Sequence, residues 1–228
     1  MNTRLKIVML FVLGSLYSNI WAQENTLGTL PSLNFNKALK NDWRLNLSIQ
    51  ARNGITERQI ECGRPSTYEY MHTDYTLIAA KKTGLNNALA GGILLRYQDQ
   101  ELIVRYIQQF TLVRKYSAFR MAHRFRMDQT KSQTDPLKYR LRYRATLELP
   151  LNGTVVDPKE WYLKINHEYL NAFQAQTHDL EVRLVPLVGY KFSEKNKLET
   201  GFDYRRSGFV NNAANNDFWL SLNWYLIL

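Results

Sequence analysis

Two neighbouring segments of the chain carry arginine on one face and apolar side chains on the other. In residues 118–128, three arginines alternate with Phe, Met and His, and residues 140–149 repeat the design with three arginines against Leu, Tyr and Ala. Successive side chains of a β-strand point to opposite faces, so each segment predicts a strand with one basic and one apolar face. An arginine facing the middle of a lipid layer costs roughly 2–4 kcal/mol. In a membrane barrel, the basic faces must therefore line the interior.

A soluble barrel or sandwich would need the opposite arrangement, with its apolar face inside and its polar face in water. Periodicity alone does not tell which face is inside, so a soluble periplasmic barrel that binds an anionic ligand on an arginine-rich surface stays open as an alternative. Three features favour the inverted barrel, in which the polar face lies inside and the apolar face outside. They are the N-terminal segment, the aromatic residues near strand ends and the last segment of the chain.

The last segment, 217–228, alternates in the same way. Its even-numbered positions from Phe218 to Leu228 are all Phe, Leu or Trp, whereas Ser221, Asn223 and Tyr225 lie among the odd-numbered ones. An apolar edge strand in a soluble protein invites aggregation, whereas in a closed membrane barrel the same face meets lipid and the edge is paired. We therefore expect this segment to be the closing strand of an antiparallel transmembrane β-barrel, an all-β fold.

Composition agrees with a barrel better than with a helical membrane protein. Hydrophobic residues make up 45% of the 228 residues and the mean hydropathy is −0.40, whereas membrane helices need runs of about 20 apolar residues. Half of each spanning barrel strand faces a polar interior, so its average hydropathy looks soluble. The length fits one barrel domain, which we expect to cover residues 23–228.

The N-terminal segment has the features of a secretory signal peptide. Arg4 and Lys6 precede an apolar run at 7–20, and the small residue Ala22 follows, which predicts a signal peptide over residues 1–22. Its removal lowers the net charge from +10 to +8. Export to the outer membrane makes nucleic acid an unexpected partner, in spite of the positive charge. Cys62 is the single cysteine, so no disulfide or thiolate metal site is expected.

The alternating pattern is compatible with more than one number of strands. Alternating segments give eleven candidates, of which the first, 33–38, is short; residues 23–32 read as an N-terminal arm and 53–66 as a long loop. Bacterial single-chain barrels normally have an even number of strands. We therefore predict twelve strands, with ten as the alternative.

The chain resembles the DUF2490 group of uncharacterised exported proteins, common in Bacteroidetes and taken to be outer-membrane barrels. The resemblance covers nearly the whole chain after the signal peptide and rests on His123–Gln129, Arg140–Arg144 leading to Leu149–Leu151, Asn166–Asn171 and Leu198–Phe202. Asp128 stands where the family's Glu is expected, which keeps the charge. The resemblance implies a barrel in the outer membrane and implies no activity.

The candidate functional feature is a network of basic and acidic side chains inside the barrel. Its predicted members are Arg120, Arg124, Arg126, Asp128, Arg140, Arg142, Arg144, Glu148, Glu168 and Arg183. If the interior is open, the excess of arginine favours a channel for small anions. If long side chains paired with carboxylates fill it, they plug the interior and hold the strands in register. Expected partners are outer-membrane lipids and, for an open interior, small anions.

An outer-membrane lipid hydrolase is the enzymatic alternative. It would need a Ser or Cys nucleophile beside a base, but His123 and His167 fall on the apolar face, with no Ser two residues away on the same strand. His72 and Asp74 share a face and could orient each other, but the ordinary explanation is a polar pair in the interior. No His or Cys spacing typical of a metal site occurs. We therefore predict no enzymatic activity, no metal and no cofactor.

Overall fold

The computed structural model describes residues 24–56, 67–210 and 214–228, and these residues form a closed β-barrel. Its strands, in chain order, are β1 Glu24–Ala38, β2 Trp43–Thr56, β3 Thr67–Lys82, β4 Asn87–Gln98, β5 Glu101–Lys115, β6 Arg120–Lys131, β7 Lys138–Pro150, β8 Glu160–Gln174, β9 Thr177–Ser193, β10 Asn196–Ser207 and β11 Asn215–Ile227. The predicted all-β barrel is confirmed. The predicted signal peptide lies outside the described residues.

The barrel has eleven strands over the residues described, so the predicted counts of twelve and ten are both wrong. Each strand pairs antiparallel with its neighbours in the chain, and the barrel closes between β1 and β11, which run parallel. An odd number of alternating strands makes the first and the last run in the same direction, so a parallel pair is the only way to close the sheet. The eleven alternating segments are all strands, and the assumption of an even number caused the error.

The segment predicted as an N-terminal arm is the first half of a full strand. β1 begins at Glu24 and pairs with β11 from there to Asn36. Gly28 and Pro31 hid the strand, because both weaken a strand pattern. The β1–β2 ladder skips Leu30 and Pro31 and resumes in the same register at Ser32. The segment predicted as a long loop from residue 53 likewise begins with strand, since β2 continues to Thr56.

The two ends of the barrel differ in their connections. The end at which β11 finishes, called here the C-terminal end, carries the connections 39–42, 83–86, 116–119, 151–159 and 194–195. The opposite end, at which β1 begins, includes the two-residue turns 99–100 and 175–176. Asp99 and Gln100 both have positive φ, 51° and 64°, as a type I′ hairpin turn requires. Asn41 and Asp42 at the C-terminal end also have positive φ, 56° and 61°.

The outside of the barrel is mostly apolar, whereas the buried charged side chains lie inside, together with some large apolar ones. Phe125, Leu141, Phe202 and Trp224 on the outer face are each about half exposed or more, whereas the interior Asp128 is fully buried. The sequence pattern also placed Trp219 among the aromatic residues at strand ends that would face the membrane interfaces, and this prediction is wrong, because Trp219 faces the interior and is buried. The described residues include no helix long and apolar enough to cross a membrane.

Glycine makes room for the two largest buried aromatic rings. A Cβ on Gly189 would lie 2.2 Å from Cζ of Tyr162, and one on Gly28 would lie 2.5 Å from Cζ3 of Trp219. Both rings therefore lie flat against the bare backbone of a neighbouring strand. This packing lets a large side chain fit inside a barrel of this size, where side chains must fill the interior.

Candidate functional site

All ten residues predicted to form the charged network lie on the interior face. The register pairs their strands directly, because Arg124 lies opposite Arg144, Asp128 opposite Arg140, and Glu168 opposite both Arg144 and Arg183. The alternation of β6 to β9 thus brings the arginine-rich faces of β6 and β7 together with the interior faces of β8 and β9, which carry Glu168 and Arg183. What the sequence left open is which acid pairs with which base.

Asp128 is the first of two centres in this network. Its carboxylate accepts from Nε of Arg126 at 2.7 Å, from Nη2 of Arg140 at 3.2 Å and from Nη1 of Arg142 at 3.3 Å. The carboxylate is fully buried and the three arginine side chains are 10–13% exposed. A buried carboxylate is stable only when it is paired and hydrogen-bonded, and here three guanidinium groups provide both.

Glu168 is the second centre. Nη2 of Arg142 lies 2.5 Å from Oε1, Nε of Arg144 lies 2.6 Å from Oε2, and Nη1 of Arg183 lies 3.5 Å from Oε1. Arg124 reaches Oε2 only at 4.0 Å. Arg183 also pairs with Glu181 on its own strand. Four arginines therefore share one buried carboxylate, so the network carries more positive than negative charge.

Like charges lie directly opposite each other in this region. Arg124 faces Arg144, and Arg126 faces Arg142, across the β6–β7 pair. Like charges directly opposite on neighbouring strands are destabilising, so the two buried carboxylates are needed to hold the arginines together. Without them the four guanidinium groups would repel one another in an interior with little water.

A third charged cluster was not among the predicted site residues. Lys164 places Nζ 2.8 and 3.0 Å from the two oxygens of Glu199, Tyr162 donates its hydroxyl to the same carboxylate at 2.7 Å, and Lys197 approaches it at 3.4 Å. Glu199 is fully buried. Alternation along each strand places these residues on the interior face, and the sequence alone could have indicated that much. Their pairing across β8 and β10 was not readable from single strands.

The remaining predicted pair of the network lies at the C-terminal end. Arg120 places Nη1 3.2 Å from Oε1 of Glu148, and the arginine side chain is 48% exposed. The arginine of this pair is therefore open to water, and Glu148 is partly exposed at 17%, in contrast to the buried centres. An exposed ion pair contributes little to stability, so Arg120 and Glu148 shape the entrance to the interior more than they hold the strands.

The suggestion that His72 and Asp74 orient each other is wrong. Asp74 instead accepts two hydrogen bonds from Arg96, at 2.6 and 2.7 Å, and these two residues face each other across β3 and β4. His72 is buried, and its Nδ1 atom has no hydrogen-bond partner among the described residues. Arg52 lies 4.9 Å above the ring of the buried Trp219, which gives this arginine an aromatic partner in place of an acid.

Two cavities occupy the interior toward the C-terminal end. The inner cavity, of about 370 Å³, includes Arg120, Arg124, Arg144, Glu148, Lys164 and Lys197 in its lining. The outer cavity, of about 670 Å³, is lined by the connections at this end, among them residues of 39–43, 85–88 and 154–156. The two share Thr111, Arg120 and Glu148. They therefore form one funnel that leads from the C-terminal end to the arginine network.

The two histidines considered for catalysis lie on the outer face. Nδ1 of His123 is 2.8 Å from the hydroxyl of Tyr143, and the ring of His167 packs edge-on against Tyr169 at 4.8 Å. His123 thus contacts a phenol hydroxyl and His167 an aromatic ring. Neither contact brings a Ser or Cys nucleophile to the imidazole. In the described ranges there is no group of three His, Cys, Asp or Glu residues that could hold a metal ion.

Comparison with known proteins agrees with the resemblance noted in the sequence. The family model described as "Protein of unknown function (DUF2490)" matches residues 27–219, which takes in β2 to β10 entirely and most of β1. No curated protein and no solved structure matches the chain. The match covers well over half of the chain and includes every residue of the charged network. The chain belongs to the DUF2490 family.

Proposed function

We propose that this protein is a non-enzymatic outer-membrane β-barrel whose interior is plugged by ion pairs. The observation that carries the proposal is the distribution of side chains: the outer face is apolar, and the interior holds buried carboxylates shared by several arginines. A soluble barrel of this kind would expose its apolar face to water and bury its charge, at a large cost on both faces. Lipid around the barrel removes the first cost.

The composition of the outer face supports contact with a bilayer. Its side chains are mostly apolar, with Tyr106 and Tyr143 among those at mid-strand, and further aromatic side chains lie near both ends of the strands. Those near the C-terminal end are Trp43, Trp161, Tyr190 and Trp224, and those near the opposite end are Tyr68, Tyr97, Tyr139 and Phe173. Aromatic rings at two levels fit the two membrane–water interfaces. Strands of 12–17 residues exceed the roughly 9–11 that a tilted strand needs to cross.

The plugged interior is favoured over an open anion channel. Asp128 and Glu168 are buried, and Arg142 connects them from β7. Leu94, Ile107 and Trp219 fill further interior positions and are themselves buried. An open pore would leave such side chains in contact with water, and its selectivity would come from a solvated ring of charges.

Two measurements on the same detergent-extracted protein test the proposal. We expect the unboiled protein to migrate faster on SDS gels than the boiled one, as a closed membrane barrel does, and we expect no steady ion current in planar bilayers. A steady chloride-selective current from the unmodified protein would contradict the plug and favour an anion channel. Release by osmotic shock without detergent, together with no mobility shift, would contradict the membrane location and favour the soluble alternative.

Absence of enzymatic activity is tested separately. We expect the purified barrel to release no fatty acid from phospholipid in mixed micelles. Release that disappears in His123→Ala or His167→Ala would contradict the proposal and favour the lipid hydrolase. Gln129→Ala, on the outer face of the same strand as His123, controls for a change at the protein surface that removes no base.

A further inference from the structure

We propose that the inner cavity is a binding pocket for a small anion that carries at least two negative charges, of the phosphate or pyrophosphate type. The proposal goes beyond the function proposed above, because it concerns a cavity inside the barrel and does not depend on the barrel lying in a membrane. The pocket is reached from the C-terminal end and ends at the arginine network.

The charge of the pocket carries the argument. Five cationic side chains line it, whereas the carboxylates within ion-pair distance of them are three, Glu148, Glu168 and Glu199. Two positive charges remain even if each acid is assigned wholly to this pocket. Glu168 is in fact shared with Arg142 and Arg183, which lie outside the lining, so the true surplus is larger.

Arg124 is the least neutralised member of this set. Its only carboxylate contact within the described chain is Glu168, at 4.0 Å, and Arg144 lies directly opposite it on β7. Arg144, by contrast, has its Nε 2.6 Å from the same carboxylate. Two guanidinium groups side by side, with one carboxylate largely taken by one of them, form a fork that a phosphate can bridge with paired hydrogen bonds.

The lysines lie on the other side of the pocket. Lys197 is 34% exposed and approaches Glu199 at 3.4 Å, and it lies 4.6 Å above the ring of Tyr225. Lys164 lies 5.6 Å from the same ring. Tyr225 therefore contacts both ammonium groups by cation–π attraction and adds no negative charge. Lysine acts on phosphate as a compact point charge, which complements the geometry of the arginines.

The volume limits the ligand. A cavity of about 370 Å³ is at the small end of the range for ligand pockets, so it suits a small anion or the phosphorylated end of a larger molecule. Thr146 donates to Asn166 at 2.7 Å within the lining, which adds neutral polar groups. The same phosphate chemistry could come from a soluble anion or from a lipid headgroup that enters by the C-terminal end.

The test is calorimetric titration of the full-length barrel in neutral detergent, with inorganic pyrophosphate and short-chain phosphatidic acid as separate probes. We expect at least one probe to bind, and added salt to weaken the binding. Tighter binding of pyrophosphate would identify a soluble anion as the ligand, and tighter binding of phosphatidic acid a lipid headgroup. Arg124→Gln should weaken the binding about tenfold or more, because it removes charge-assisted hydrogen bonds.

Two further variants sharpen the test. Lys197 lines the pocket but is not part of the arginine network. Lys197→Gln should therefore weaken binding without disturbing that network, even if Arg124→Gln disturbs folding. Lys40→Gln removes one positive charge at the same end of the barrel, from an exposed residue outside the lining, and should change affinity by less than about twofold. The gel-mobility shift verifies that each variant is folded.

Binding of neither probe by the folded protein would overturn the proposal, and so would equal effects of Lys197→Gln and Lys40→Gln. Neither result bears on the membrane location. If osmotic shock releases the protein but pyrophosphate binding persists and depends on Lys197, the pocket stands and the membrane proposal fails. If the protein is embedded in the membrane but binds neither probe, the membrane proposal stands and the pocket proposal fails.

Discussion

Arg142 donates two hydrogen bonds to one oxygen of Glu168, from Nη2 at 2.5 Å and from Nε at 3.2 Å. Its Nη1 atom donates to Asp128 at 3.3 Å. One guanidinium group therefore links the two buried carboxylates that neutralise the arginines of β6, β7 and β9. The strands of this side of the barrel are held together by shared charge inside and by backbone hydrogen bonds in the wall.

Replacing Glu168 by Gln should destabilise the barrel by about 3–5 kcal/mol, because it leaves several buried arginines without their shared counter-charge. The measurement is the urea concentration at which the gel-mobility shift is lost. Glu194→Gln is the control: Glu194 pairs with Lys191 at 2.9 Å but is 72% exposed, so its loss should change stability by less than about 1 kcal/mol. Equal effects of the two variants would contradict the role of the network.

Gly189→Ala should destabilise the barrel by about 1–3 kcal/mol, through overpacking. The added Cβ would lie 2.2 Å from Cζ of Tyr162, and this ring has no room to move because it is buried and bonded to Glu199. Gly91→Ala is the control, since its Cβ would meet nothing closer than 3.9 Å. The same urea titration compares them, and an unchanged midpoint for Gly189→Ala would argue against this packing.

The parallel closure can be tested by a disulfide. Thr29 and Leu220 are directly opposite on β1 and β11, and neighbouring strands lie about 4.8 Å apart, within the range for a disulfide. In a Cys62→Ser background, Thr29→Cys with Leu220→Cys should cross-link on oxidation, which boiled, non-reduced samples reveal by faster migration. Thr29→Cys with Trp224→Cys is offset by four residues and should not. Equal cross-linking of both pairs would contradict the register.

If the barrel lies in a membrane, as proposed, a charge on the outer face should hinder its insertion. Leu141 lies on the outer face in β7, and an arginine there would cost roughly 2–4 kcal/mol in the bilayer. We expect Leu141→Arg to reduce the folded fraction in lipid vesicles severalfold, as measured by the mobility shift. Leu85→Arg should fold normally, because Leu85 is 91% exposed in the connection between β3 and β4. Normal insertion of Leu141→Arg would mean that this face does not meet lipid.

Period-two alternation predicted the strands of this barrel well, because almost every strand has one apolar and one polar face. It failed for the first half of β1, where Gly28 provides space for Trp219. That requirement comes from β11, at the other end of the chain, and so lies outside any local pattern. The parallel closure was missed for a similar reason, since direction at the seam depends on the count of all strands.

Alternation also indicated which residues face the interior, but it did not indicate their partners. Asp74 and His72 share a face, yet the acid pairs with Arg96 on the next strand. Tyr162 and Glu199 are bonded although 37 residues separate them. Such pairs depend on register and on the tilt of the strands around the barrel, which single segments do not specify.

The most direct test of the inverted barrel compares Trp219 and Trp224, five residues apart on β11 and on opposite faces. Trp219 is 1% exposed and lies inside, whereas Trp224 is 44% exposed on the outer face. Each is kept as the single tryptophan, with the others changed to Phe, and the protein is folded into vesicles that contain brominated lipid. We predict that bromine quenches the fluorescence of Trp224 and leaves that of Trp219 unchanged. Equal quenching of the two, or quenching of Trp219 alone, would contradict the account.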